Sequence, residues 1–183
     1  MSINFHPDES TLMAYAAGTL DEAFAIVVSC HLETCSSCRS ALKTLELVGG
    51  SQLENVPVEQ GDEGSFGRIL EKISASEIIA DRGGESEPAK SVREIDPQDK
   101  MPTALRSYVE GGVGDVKWKR VSPGVWQSRI ALSKGAKSSL RLLRIAPGKD
   151  VPEHGHNGQE MTLILSGAYR DEIGYFGPGD VAD

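Results

Sequence analysis

Residues 31–38 read His31-Leu-Glu-Thr-Cys35-Ser-Ser-Cys38 and bring three metal-binding side chains into one short stretch. Spacings of four and three residues place these side chains within about 60° of one helical face. Structural zinc usually takes four Cys or His ligands in a tetrahedron, and His6 is the other histidine of the N-terminal half. We therefore predict a zinc site made by His6, His31, Cys35 and Cys38, which contributes folding energy to a small bundle.

Cys30 is the third cysteine of the chain. It lies about 100° around a helix from His31, so we predict that it packs, although places as a fourth ligand or as a free thiol stay open. Oxidation of the cysteines to a disulfide would release zinc and loosen the bundle. Structural support and redox switching are therefore both compatible with this motif.

Helical periodicity surrounds the motif. Apolar residues between positions 8 and 48 recur at helical spacing and predict three helices. The predicted boundaries are Gly18 as the end of the first helix, a capping box of Thr19 and Glu22 for the second, Thr34 as the cap of the third, and Gly49-Gly50 as its end.

A fourth helix is predicted from an apolar stripe that follows a polar stretch. The stripe consists of Phe66, Ile69, Leu70 and Ile73, and the predicted helix runs to about Ile79. It either folds back on the first three helices or is kept for another protein.

The chain changes character after this helix. Residues 81–102 are rich in Gly, Ser, Pro, Glu and Lys and predict a linker. Beyond it, a period of two predicts strands at Val125–Ile130, Leu140–Ile145 and Met161–Leu165. The predicted fold class is therefore two domains, an all-α zinc-binding bundle and an all-β antiparallel barrel or sandwich. The predicted boundaries are 1–80 for the bundle, 81–102 for the linker and 103–183 for the β domain.

A second metal motif lies among these strands, in the order Gly148, His154, His156, Glu160 and Gly167. Alternate residues of a strand share a face, so both imidazoles point inward and the carboxylate of the next strand completes one side of a metal site. These residue types suit zinc, which we favour, or another divalent metal such as iron or manganese. The two glycines are predicted to form turns.

The spacing of this motif resembles the first motif of the cupin family. The resemblance implies a second motif with a Pro-Gly turn and a fourth ligand histidine. Pro178-Gly179-Asp180 looks like its beginning, but no histidine follows His156. Either the cupin domain is C-terminally truncated, which we expect, or its site holds three protein ligands.

Composition excludes several classes of function. With 27 acidic against 19 basic side chains, the formal charge of −8 argues against direct nucleic-acid binding. The sequence shows neither a secretion signal nor an apolar run long enough to span a membrane, so we expect a cytoplasmic protein that binds no membrane.

The pattern of His6 and His31-x-x-x-Cys35-x-x-Cys38 resembles the zinc-binding anti-sigma family. That resemblance implies a regulator, not an enzyme, whose helices sequester a sigma factor of the extracytoplasmic-function (ECF) group from RNA polymerase and promoter DNA, one to one. It also implies that Phe66, Ile69, Leu70 and Ile73 contact sigma. A zinc-binding bundle joined to a cupin resembles one type of protein within this family, and that resemblance implies that the cupin domain is required for release in response to singlet oxygen or other oxidants.

An enzyme is the alternative from another class. Two histidines and a carboxylate also describe non-haem iron dioxygenases, in which case the bundle would be an accessory domain. The strands around the motif offer few substrate-anchoring side chains, which are Arg141, Arg144 and Tyr169. Iron would favour this alternative, and zinc in both domains would favour binding and sensing.

Overall fold

The computed structural model describes residues 3–58, 62, 64–81, 101–109, 113–149 and 158–182, with the backbone alone for residues 75–81. The chain divides into two compact units, one of Met1–Ser51 with Gln98–Asp183 and the other of Gln52–Pro97. The domain boundaries given above remain predictions, because most of the proposed linker lies outside the described residues.

Helices dominate the N-terminal part. They are α1 (Glu9–Ala16), α2 (Glu22–Thr34), α3 (Ser36–Glu54), α4 (Ser65–Asp81) and the short α5 (Thr103–Arg106). Asp8 caps α1 by accepting a hydrogen bond from the backbone N–H of Thr11 at 2.6 Å. Gly18 follows the end of α1 with a φ of +67°, a conformation that glycine adopts without strain, so its predicted role is confirmed.

Two of the predicted caps are wrong. The cap of α2 is Asp21, whose carboxylate accepts from the N–H of Ala23 at 3.4 Å, whereas the Thr19 hydroxyl donates to the Ala14 carbonyl of α1. Thr34 is the last residue of α2 and its hydroxyl donates back to His31, so it does not cap α3. Asp21 takes the capping position of α2, and Cys35 directly precedes α3, where its Sγ accepts from the N–H of Cys38 at 3.5 Å.

The predicted end of α3 at Gly49-Gly50 is also wrong, because the helix continues to Glu54. Both glycines have open space around them. In such a setting a glycine weakens a helix by about 1 kcal/mol and does not break it. The fourth predicted helix is confirmed as α4.

The C-terminal part is built from antiparallel strands. They are β1 (Lys119–Ser122), β2 (Val125–Ile130), β3 (Leu140–Ile145), β4 (Thr162–Leu163), β5 (Tyr169–Arg170), β6 (Tyr175–Phe176) and β7 (Val181–Ala182). Among the described residues, β1, β2 and β3 form one sheet, while β4 pairs with β7 and β5 with β6. The first two predicted strands are confirmed as β2 and β3, and the third is shortened to β4.

Helix α2 contributes to two clusters of buried side chains. One, here called the α2–α5 cluster, joins α2 to the C-terminal part and contains Ile26, Cys30, Met101, Leu105, Val109, Val116 and Ile130. The other lies within the bundle and contains Leu12, Val28, Leu32, Cys35 and Cys38. Because both clusters share α2, the bundle and the C-terminal strands pack within one compact unit.

Acidic side chains of α2 add polar contacts to the same junction. The Glu33 carboxylate accepts from the backbone N–H groups of Thr103 and Ala104, at 2.9 and 2.8 Å, where α5 begins. The Glu22 carboxylate accepts from the N–H of Ser133 at 3.0 Å. Two carboxylates of α2 thus accept hydrogen bonds from backbone N–H groups of the C-terminal part.

Candidate metal centre

Four metal-binding side chains converge at the junction of α2 and α3. His31 lies in the last turn of α2, Cys35 joins the two helices, and Cys38 lies in the first turn of α3. His6 lies in residues 3–8, the segment before α1 that is here called the arm. Their ligand atoms all lie within 4.8 Å of one another. The structure thus brings together the four residues that the spacing predicted for the N-terminal site.

The distances between ligand atoms suit a tetrahedral ion. Nε2 of His31 lies 3.2 Å from Sγ of Cys38, and Nδ1 of His6 lies 3.3 and 3.4 Å from Sγ of Cys35 and Cys38. In a zinc tetrahedron with Zn–S near 2.3 Å and Zn–N near 2.0 Å, the N···S edges are about 3.5 Å. The donor set and its spacing therefore fit a metal ion of zinc size.

The tautomer of His31 is set from outside the bundle. Its Nδ1 lies 2.7 Å from the carbonyl oxygen of Gly179, which can only accept, so Nδ1 carries the proton. Nε2 is then left as a lone-pair donor that faces Cys38. Second contacts of this kind fix the ring orientation of metal-binding histidines.

Burial and local donors give the two thiols different acidities. Burial raises the pKa of Cys35, but the Ser37 hydroxyl and the N–H of Cys38 outweigh it, and its pKa is lowered. Burial and the neighbouring Cys35 raise the pKa of Cys38 to about 11. A bound cation would allow both thiols to ionise.

His31 is fully buried, and this burial lowers its pKa although the Gly179 carbonyl acts in the opposite direction. A neutral imidazole is the form that binds a metal. At neutral pH His31 is therefore in the state that a metal site requires.

Cys30 is placed differently. It lies in the α2–α5 cluster and is buried with apolar side chains. Burial, followed by the charge of Glu33, raises its pKa to about 12. Such a thiol is a poor ligand and nucleophile, which agrees with packing.

A groove of about 520 Å³ opens beside the cluster and is lined by His6, Pro7, Glu9, Leu12, Ser37, Cys38, Ala41, Thr44 and Leu45. His6 is itself exposed, whereas His31, Cys35 and Cys38 are buried. A small molecule in solution can therefore approach the cluster from the side of His6.

The second predicted site is described only in part. His154 and His156 lie outside the described residues, and Glu160 is an exposed residue shortly before β4. Gly148 and Gly167 have φ values of +70° and +77°, as expected of the predicted turns. Metal binding by these residues stays a prediction.

The apolar stripe of α4 is solvent-exposed. The exposed fractions are 71% for Phe66, 54% for Ile69, 47% for Leu70 and 52% for Ile73. The second half of α3 also exposes Leu47, Val48 and Leu53, which the sequence analysis missed although they are apolar residues in a polar helix. No described helix is both long and apolar enough to span a membrane.

Comparison with known proteins gives matches along the whole chain. Residues 109–181 match the family described as the ChrR Cupin-like domain. Over 181 residues the chain is 39% identical to the anti-sigma-E factor ChrR of Cereibacter sphaeroides, covering 99% of this chain and 79% of that protein.

A solved structure is similar over the same extent. It is the crystal structure of Rhodobacter sphaeroides SigE in complex with the anti-sigma ChrR, with a TM-score of 0.75 and 35% identity. The match covers 99% of this chain and 86% of that chain. Together these similarities confirm the predicted fold class, a helical region with a His/Cys cluster followed by a cupin-like region.

Proposed function

The chain belongs to the family of the anti-sigma factor ChrR, and we propose that it sequesters an ECF sigma factor from RNA polymerase and promoter DNA. The observation that carries this proposal is similarity over 99% of the chain both to ChrR itself and to the solved structure of SigE in complex with ChrR. The family is regulatory, which confirms that the chain is not an enzyme and makes the dioxygenase alternative wrong.

Charge supports a protein partner of this kind. The chain carries a formal charge of −8, and a sigma factor must present basic surface to promoter DNA. An acidic inhibitor is therefore complementary to the surface it has to cover. The proposed place of action is the cytoplasm, where RNA polymerase works.

We assign the contact with sigma to the stripe of Phe66, Ile69, Leu70 and Ile73. Amphipathic helices commonly bind partners through anchors at this spacing, and all four side chains are exposed.

We further assign zinc to the site of His6, His31, Cys35 and Cys38. Its role is structural, because four protein ligands leave no open position for substrate. The ion would tie the N-terminal arm to the junction of α2 and α3. His154, His156 and Glu160 are proposed to hold zinc or another divalent metal, in a domain required for release by singlet oxygen or another oxidant.

Binding is tested by co-expressing the full chain with the ECF sigma factor encoded beside it and measuring the mass and zinc content of the complex. The expected result is a one-to-one complex. Ile69→Ser should weaken it about 5- to 30-fold, since anchors of this type contribute about 1–2 kcal/mol. Glu71→Ser is the matched control, because residue 71 is exposed and lies on the opposite side of α4.

Absence of a complex would overturn the anti-sigma proposal. Equal affinities of the two variants would overturn only the assignment of the α4 stripe. Release is tested by transcription in vitro with a photosensitiser that generates singlet oxygen. His154→Ala should still inhibit but respond less to light, whereas an undiminished response would contradict the role of the cupin site.

A further inference from the structure

One turn of the C-terminal part, residues 177–180, contacts the segments that carry both histidines of the metal centre. The Gly179 carbonyl accepts the Nδ1–H of His31 at 2.7 Å, across 148 residues of sequence. The Asp180 carboxylate accepts from the backbone N–H groups of Asn4 and Phe5, at 2.7 and 3.0 Å. These two residues directly precede His6 in the chain.

Asp180 is well placed to hold the arm. It is 2% exposed, and its second carboxylate oxygen accepts from the N–H of Gly177 at 2.8 Å, which closes the turn. Three backbone N–H groups thus converge on one buried carboxylate. A buried carboxylate with such donors is a rigid anchor, because loss of any of these bonds leaves a charged group unsatisfied.

The arm is also packed against the strands around this turn. The ring of Phe5 stacks on Phe176 with centroids 4.1 Å apart, and the Phe5 carbonyl accepts from the N–H of Val181 at 3.2 Å. The arm therefore continues the edge of the small β4–β7 sheet. His6 is the next residue of the chain after Phe5, and its imidazole lies beside the Sγ atoms of the two cysteines.

Gly179 itself leaves little room for change. Its φ is +94°, and a Cβ added there would lie 2.8 Å from Cδ1 of Ile3. Any other residue would strain the backbone, and its Cβ would displace the end of the Ile3 side chain in the arm. The position of its carbonyl, and hence the bond to His31, depends on glycine.

We propose that the turn of residues 177–180 positions both imidazole ligands of the N-terminal metal centre, so that metal retention there depends on the C-terminal domain. The inference rests on the zinc site of the proposed function. Asp180 acts through the arm and Gly179 through His31, and neither touches the ion. Loss of such supporting contacts typically lowers metal affinity 10- to 100-fold.

The test uses the full chain with Asp180→Asn, Asp180→Ala and Gly179→Ala. Asp62→Asn is the matched control, because Asp62 is exposed and accepts hydrogen bonds from Gly64 and Arg68, which belong to the other compact unit. Zinc affinity is measured by competition with a chromophoric chelator. The site is identified by thiolate-to-cobalt charge-transfer absorption, which His154, His156 and Glu160 cannot produce.

We expect zinc affinity to fall 10- to 100-fold in Asp180→Ala and Gly179→Ala, with an altered cobalt spectrum. Asp180→Asn keeps an acceptor oxygen for the arm and should be intermediate, while the control should remain within twofold of wild type. Tryptophan fluorescence at Trp118 and Trp126 reports whether each variant folds. If Asp180→Ala and Gly179→Ala do not fold, the zinc affinity of Asp180→Asn decides whether the turn controls metal binding.

Wild-type affinity and an unchanged cobalt spectrum in a folded Asp180→Asn and Gly179→Ala would overturn the inference. Absence of thiolate-to-cobalt absorption in the wild type would instead overturn the zinc site, and this inference with it. Sigma binding by the metal-loaded wild type is scored separately, so failure of the anti-sigma function is distinguishable from both.

Discussion

Leu105→Ala should destabilise the metal centre although the residue lies far from it in sequence. Leu105 is 4% exposed and packs in the α2–α5 cluster with Ile26 and Cys30 of α2. The substitution removes three carbon groups, each worth about 0.8 kcal/mol of burial. With the cavity left behind, we expect a loss of about 3 kcal/mol in the free energy of unfolding, or roughly 100-fold in the unfolding equilibrium.

The assay follows urea unfolding of the zinc-loaded chain with two probes. Fluorescence of Trp118 and Trp126 reports on the C-terminal part, where both tryptophans lie. Release of zinc to a chromophoric indicator, with the cupin site removed by Glu160→Gln, reports on the bundle. Because α2 packs in both clusters, the urea midpoints of tryptophan fluorescence and of zinc release should both fall in Leu105→Ala.

Leu143→Ala is the control for the same chemical change, since Leu143 is exposed on β3. This substitution should lower the free energy of unfolding by less than about 1 kcal/mol. A shift of the fluorescence midpoint without any shift in zinc release would refute the reasoning, because it would show that the cluster stabilises the C-terminal part only.

Three further outcomes are expected. Chelation of zinc should reduce the helical circular dichroism of the full chain, and added zinc should restore it, because the ion contributes folding energy. Cys30→Ala should retain the thiolate-to-cobalt absorption and Cys35→Ala should lose its wild-type form. Bonds from the Ser138 hydroxyl and the Lys137 N–H lower the pKa of Asp21, so its carboxylate stabilises the fold above its unfolded pKa and this contribution is lost as pH falls through the lower folded value. The stability difference between wild type and Asp21→Ala in urea unfolding should therefore diminish as the pH falls below 3.8, the ordinary value.

The cluster of candidate metal ligands could be predicted from sequence because its arrangement is mainly local. His31, Cys35 and Cys38 follow helical spacing across the junction of α2 and α3, and that spacing brings the three ligands together. The strands β2 and β3 could be predicted equally well from sequence, since alternation of side chains is a property of the strand itself. His6 was found by elimination, as the histidine left in the N-terminal half.

The support of the site could not be predicted in this way. The partner of His31 is a backbone carbonyl 148 residues away, and a carbonyl is present at every position of every sequence. Pro178-Gly179-Asp180 was recognised as a turn, but nothing in the turn itself indicates that it faces the arm. The prediction for the end of α3 was wrong for a related reason. A glycine ends a helix only where its tertiary surroundings stabilise a different backbone conformation, and the local sequence does not show those surroundings.

The turn at 177–180 also has a defined relation to the candidate cupin site. Ile164 donates its N–H to the Asp180 carbonyl at 3.0 Å and accepts from the N–H of Gly179 at 2.8 Å, and Glu160 lies only four residues before it. A backbone change at Glu160 that extends to Ile164 would either break these two bonds or move the turn, and movement of the turn would displace the carbonyl that accepts from His31. If the turn positions the imidazoles as proposed, a signal received in the C-terminal domain can lower the metal affinity of the bundle. Loss of metal would then lower the affinity of the bundle for sigma, without any direct contact between the C-terminal domain and sigma.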